Sequence, residues 1–198
     1  MRKLTTDDIK DLRAYERERD DFRRSVIEQK RRRRVVLGDF LSLTFENTDT
    51  MRFQVQEMAR AERMLTDEQI RHEVDTYNQL IPDPGELSGT LFVELTSKEA
   101  LQEWLPKLVG IQRSVSFWLP DGSRVAGEPQ EEDEARLTRE ETTASVHFVK
   151  FRFTPEQAAA FARGPAQLVL DHPEYHAVVE LSEEQREELA GDLADVEA

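Results

Sequence analysis

Apolar residues near the start of the chain recur at the spacing of a helix. Ile9, Leu12, Tyr15, Phe22 and Val26 follow a hydroxyl cap, Thr5 or Thr6, and the carboxylates Asp7 and Asp8 at the positive end of the dipole. This helix runs into "KRRRR", Lys30 to Arg34. At about 100° per residue, consecutive cations circle a helix rather than forming one face. In a last turn they complement the negative end of the dipole, so a helix terminus is the reading adopted over an acidic partner's patch or nucleic acid. The pattern then changes to alternation in "VVLGDFLSLTFENTDT". Leu41, Leu43 and Phe45 predict a strand, and Asn47 to Thr50 a turn.

After Thr50 the period is helical again. Met51, Val55, Met58 and Leu65 share an arc that also holds Glu62, while Phe53 and Met64 lie opposite. A helix apolar on two sides is expected to be clasped between layers. Thr66 with Gln69 is a capping box opening a further helix with the stripe Ile70, Val74, Tyr77 and Ile81, and His72 faces away from that stripe. "PDPGE" breaks the chain before a strand from Leu87 to Leu95. Ser97 then caps a helix carrying Leu101, Trp104, Leu105 and Leu108, with Gly110 as its stop.

"IQRSVSFWLPDGSRVAG" reads as a hairpin about a Pro-Asp-Gly turn. Glu128 to Glu141 has no apolar periodicity and is expected to be a mobile acidic surface loop. "ASVHFVKFRF" is a strand with His147 in register with Val149, Phe151 and Phe153. Thr154, Pro155 and Gln157 start a short helix that Gly164 ends. "QLVLDHPEYHAVVEL" is two strands about Pro173-Glu174, and Ser182 with Gln185 caps a last helix that frays into an acidic tail. The class is α+β: a helical N-terminal half packed on a mostly antiparallel sheet with short helices. One domain, 1–198, is expected, with a helical lobe over about 1–82, a sheet-rich part over about 86–181, and the final helix and tail over 182–198.

Charge narrows the partners. The net charge is −14, yet residues 1–36 carry 13 Lys/Arg against 8 Asp/Glu, so the basic excess is confined to the start. Such a balance disfavours nucleic acid; the acid is expected to serve solubility, with steering of a basic partner or a second copy of the chain as the alternative. The absence of cysteine excludes disulfides, thiolate metal sites and cysteine nucleophiles. No apolar run approaches the ~18 residues of a membrane span, and "MRKLTTDDIKDL" lacks a secretory apolar core, so a cytoplasmic location without membrane contact is expected.

Two clusters hold candidate chemistry. In "FQVQEMARAERM", Glu57 and Arg60 stand at i,i+3, and Glu62, inside the apolar arc, is expected to be buried with a raised pKa. These three are the candidate catalytic residues, with Gln54, Gln56 and Arg63 beside them for an anionic ligand; the competing reading is an ion-pair network tying the helices to the sheet. In "DHPEYH", a two-residue turn pairs His172 with Tyr175 and Asp171 with His176. With His147, these residues make a candidate site for a divalent metal, against ordinary turn chemistry. The sequence contains no P-loop, GxSxG, HExxH, EF-hand or Rossmann fingerprint.

"RRRRVVLGDFLSLTFEN", "FQVQEMARAERM", "YNQLIPDPGELSGTLFVEL", "VKFRFTPEQ" and "LVLDHPEYHA", in that order, resemble the bacterial family called domain of unknown function 3501 over nearly the whole chain. The resemblance implies no catalytic residues. It does imply a redox or oxidative-stress context, through association with rubrerythrin-like or iron–sulfur proteins. The reading favoured is a non-catalytic accessory protein acting by protein contact, with a ligand- or metal-binding enzyme as the alternative.

Overall fold

The computed structural model describes residues 1–130 and 142–194. A 3₁₀ turn at Thr6–Asp8 precedes α1 (Leu12–Arg33), β1 (Arg34–Leu37), β2 (Leu41–Glu46), α2 (Thr48–Ala61), α3 (Asp67–Asn78), β3 (Glu86–Val93) and α4 (Lys98–Lys107). Then come β4 (Val115–Trp118), β5 (Arg124–Pro129), β6 (Val146–Arg152), α5 (Pro155–Arg163), β7 (Gln167–His172), β8 (Tyr175–Glu180) and α6 (Glu183–Ala194). The expected α+β class holds, but β1 and β2 come from the first half of the chain, so that half is only partly helical.

All eight strands join one antiparallel sheet in the order β1-β2-β3-β6-β5-β4-β7-β8. Alternation puts Val35, Leu43, Leu91, Val149, Val125, Phe117, Leu168 and Ala177, one or more from every strand, into a single buried cluster. The sheet therefore curls around its own apolar face. Phe45 of β2 stacks on Phe117 of β4 with centroids 5.7 Å apart, although three other strands separate them in the sheet order. The two edges lie close together, and one side chain bridges them: the Tyr175 hydroxyl of β8 donates to the Leu37 carbonyl at 2.9 Å and accepts from the Asp39 amide at 2.7 Å. Phe161 of α5, edge-on to Phe117 and Phe153, closes one end, with Leu189 and Leu193 of α6. At the other end, Trp104 of α4 packs on Phe40 and Tyr175.

The outer face of β2, β3 and β6 is covered as well. Leu4, Met51, Val55, Val74 and Ile81 form a second core that Phe148 of β6 adjoins. Every residue of β2 is buried, the outward-facing Ser42, Thr44 and Glu46 included, and α1 packs against this strand as well. As the two-sided pattern of α2 implies, that helix lies between α1 and α3.

Local differences from the sequence reading have identifiable causes. A helix does not start at Thr5 and continue. The Asp8 carboxylate turns back to the Thr5 amide, Gln56 clamps the Lys10 backbone on both sides (2.9 and 2.8 Å), and Asp11 caps α1 afresh. α2 stops at Ala61, and Arg63 takes φ +53°, so Leu65 leaves the apolar arc and is 82% exposed. Leu95 lies beyond the end of β3, and Ile111–Arg113 is a 3₁₀ turn rather than strand. Glu128 and Pro129 of the expected acidic loop belong to β5, paired with Lys150 and Val149, and the Gln130 amide donates to the Phe148 carbonyl; residues 131–141 of that loop and the tail residues 195–198 lie outside the described residues.

Candidate functional site

The helix cluster comes together as a seam between α1 and α2. Arg19 forks onto Glu57 through Nε and Nη2, both at 2.8 Å, and the Tyr15 hydroxyl donates to Glu57 Oε1 at 2.6 Å. Charge-assisted bonds of this kind favour the ionised acid, so the Arg19 guanidinium, and after it the Tyr15 hydroxyl, hold Glu57 below the usual carboxylate range against partial burial. Burial, and then the bond to Glu57, push the Tyr15 hydroxyl well above its ordinary pKa. Arg60 does not join Glu57; it pairs with Glu16 on α1. Two further contacts extend the seam: Phe22 packs edge-on to Phe53 at 5.7 Å, and Arg52 sits 4.6 Å over Phe22.

The remaining members of that cluster do not converge on Glu57. Glu62 is exposed at the C-terminal cap of α2, where the helix has already ended, so the expected burial does not occur. Gln56 is buried but bonded to the Lys10 backbone, Gln54 is half-buried, and Arg63 is exposed in the left-handed turn. With both Glu57 oxygens accepting bonds, this carboxylate is built to stay charged and held, a poor arrangement for exchanging protons with a substrate.

The hairpin has the expected register, His172 opposite Tyr175 and Asp171 opposite His176. Exposed His176 Nδ1 lies 3.3 Å from Asp171 Oδ1. His172 points the other way. It is buried, with Nε2 3.0 Å from the Val109 carbonyl and Nδ1 accepting from the Glu174 amide at 3.3 Å. His147 faces the interior as its register requires, with Nε2 at 3.0 Å from the Thr143 hydroxyl and 2.9 Å from the Ala144 carbonyl. The three histidines bond separate partners, His147 to Thr143 and Ala144, His172 to Val109 and Glu174, and His176 to Asp171. Among the described residues, no three His, Asp or Glu side chains gather with ligand spacing.

The arginine run contains the residue the sequence reading missed. Arg33 is 1% exposed and bonds the Phe45 carbonyl at 2.9 Å, the Glu46 carbonyl at 3.2 Å, Glu188 at 3.1 Å and Asp192. It thereby fastens α6 to the junction of α1 and β2. Burial pushes the Asp192 carboxyl above its ordinary range despite this partner. A signal was present: Arg33 follows Val26 by seven positions, about 20° away on a helical wheel, and so falls on the buried stripe. Arg34 pairs with Glu94 and Arg32 with Glu188, which leaves the run a helix terminus, as expected.

Comparisons with known proteins agree with the sequence resemblance. The model of a family described as "Protein of unknown function (DUF3501)" matches residues 3–193. The crystal structure of a novel protein of unknown function from Burkholderia pseudomallei K96243 superposes with a TM-score of 0.89 at 32% identity, covering 97% of this chain and 100% of that one. No curated protein matches the chain. Among the described residues, no helix is long and apolar enough to cross a membrane.

Proposed function

The chain belongs to the DUF3501 family, and we propose that it is a non-catalytic accessory protein that acts by contact with another protein. The observation behind this reading is where its polar side chains are engaged. Glu57, Arg60 and Gln56 bond neighbouring elements, His147 and His172 bond nearby backbone, and apolar side chains fill the sheet's interior. Such an arrangement favours rigidity and leaves recognition to the surface. The redox or oxidative-stress setting implied by the resemblance supplies the conditions for a test. A variant combining Glu57→Gln, Arg60→Gln and His176→Ala is expected to restore growth of a deletion strain under peroxide as the wild type does. A variant that is folded by circular dichroism yet fails to restore growth would overturn the reading and return those residues to a catalytic role.

A further inference from the structure

The segment ahead of α1 is a small unit with internal bonds of its own. Arg2 forks onto Asp8 at 2.9 and 2.6 Å, and the same carboxylate accepts from the Thr5 amide and hydroxyl at 2.7 and 3.0 Å. The Asp8 amide returns to the Thr5 carbonyl at 3.1 Å. All of these bonds lie within residues 2–8. The start of α1 does not use that segment, because Asp11 caps the helix through the Arg13 and Ala14 amides. Lys10 is held to the body by Gln56, which bonds both its amide and its carbonyl. Ile9, in extended backbone and only partly buried, is therefore the point about which residues 2–8 can swing.

The surface beneath holds this segment as a recognition site holds a peptide. Asn78, at the end of α3, engages both backbone groups of Leu4: its Oδ1 accepts from the amide at 2.7 Å and its Nδ2 donates to the carbonyl at 2.9 Å. The Thr48 hydroxyl donates to the Arg2 carbonyl at 2.7 Å. In the capture of extended peptides, main-chain bonds supply affinity and side-chain pockets choose the sequence. Two side chains make that choice here. Leu4, 3% exposed, enters the second core with Met51, Val55, Val74 and Ile81. Lys3 Nζ donates to the Asn78 and Ile81 carbonyls and pairs with Asp83 at 2.9 Å. We propose that residues 2–8 are an exchangeable strap, and that their seat on α2, α3 and the turn after α3 takes the same segment from a second copy of the chain. Fit selects this occupant, since a second copy presents the same Lys3, Leu4 and backbone groups to the seat. Exchange about Ile9 keeps every bond between strap and seat, so its cost is chiefly that of bringing two copies together, which concentration offsets. The exchange is independent of the contact reading above.

The test uses a labelled peptide with the sequence of residues 1–10 and the full chain carrying Leu4→Asp, whose own strap has lost its anchor while its seat is intact. By fluorescence anisotropy the peptide is expected to bind this variant, and about tenfold or more weakly to the wild type, whose seat is filled. Adding Asn78→Ala to the variant is expected to weaken binding about tenfold, and a peptide carrying Leu4→Asp is expected not to bind. Equal binding to variant and wild type, or no binding to the folded variant, overturns the proposal. Wild type warmed at high concentration towards its unfolding midpoint and then cooled is expected to show a dimer in sedimentation. Leu4→Asp should lack that dimer, and excess peptide should suppress it. Peptide binding without any such dimer overturns the second copy as occupant. Hydrogen exchange on the wild type decides the matter if Leu4→Asp does not fold. The Leu4 and Asp8 amides are expected to exchange together and faster than amides within α1 and α2; exchange at the same rate as those helices overturns the strap.

Discussion

A guanidinium taken out of water is tolerable only when nearly all its donors are used, and Arg33 meets that condition with two backbone carbonyls and two carboxylates. Truncating it strands the Asp192 carboxylate and two carbonyls in the interior. Arg33→Ala is therefore expected to lose ~3–5 kcal/mol of stability in urea unfolding, and a loss under ~1 kcal/mol would mean that α6 is not held there. Glu57 is a milder case, half-buried and at a helix seam. Glu57→Gln is expected to cost ~1 kcal/mol, and its pH dependence carries a sign. Because Arg19 lowers the folded-state pKa, the pair's contribution is complete above the unfolded value near ~4.3 and disappears as pH falls through the lower folded value. The deficit of Glu57→Gln should be steady from about pH 6 to 8 and shrink below about pH 4; urea midpoints of both proteins across that range decide it. Spacing from Val26 made the burial of Arg33 legible in the sequence, but nothing local could name Arg19 as the partner of Glu57. That contact depends on how two helices cross.

Elements defined by local rules were legible and those defined by distant pairing were not. The Pro173-Glu174 turn fixes the register of β7 and β8, and the Thr154, Pro155 and Gln157 punctuation fixes the start of α5, so both appear as read. The strand order cannot be read this way, since β3 passes over β4 and β5 to pair with β6. Neither could the meeting of β1 and β8, which Tyr175 bridges. Tyr175→Phe removes one hydroxyl that serves two backbone groups. It should cost ~1 kcal/mol and speed hydrogen exchange at the Asp39 amide more than at amides within β2. Gly127 sets a different limit. A Cβ there would stand 2.6 Å from Val149 Cγ1 and 2.9 Å from the Val115 carbonyl, so the strands cannot close around alanine without shifting. Gly127→Ala is expected to lose ~1–3 kcal/mol in thermal or urea unfolding; an unchanged midpoint would show that the β5 wall yields easily.

At the scale of the molecule, the curled sheet decides how the histidines can be used. It buries His147 and His172 as hydrogen-bonded interior residues and leaves only Asp171 and His176 together at the surface, 3.3 Å apart. A first-row metal held at this hairpin would have one imidazole, one carboxylate and otherwise water. That is fewer protein ligands than the three a catalytic zinc site usually uses, and both side chains are exposed enough to exchange freely. Recruiting His172 would require its ring to leave the Val109 carbonyl and turn out of the interior, with the Glu174 amide losing its acceptor. Elemental analysis of untagged protein, purified in air and without oxygen, is therefore expected to find well below one equivalent of iron, zinc or manganese, with no change in His176→Ala. About one equivalent, lost in His176→Ala, would mean that the hairpin rearranges around a metal, and the function would then belong to β7 and β8 rather than to a protein-contact surface.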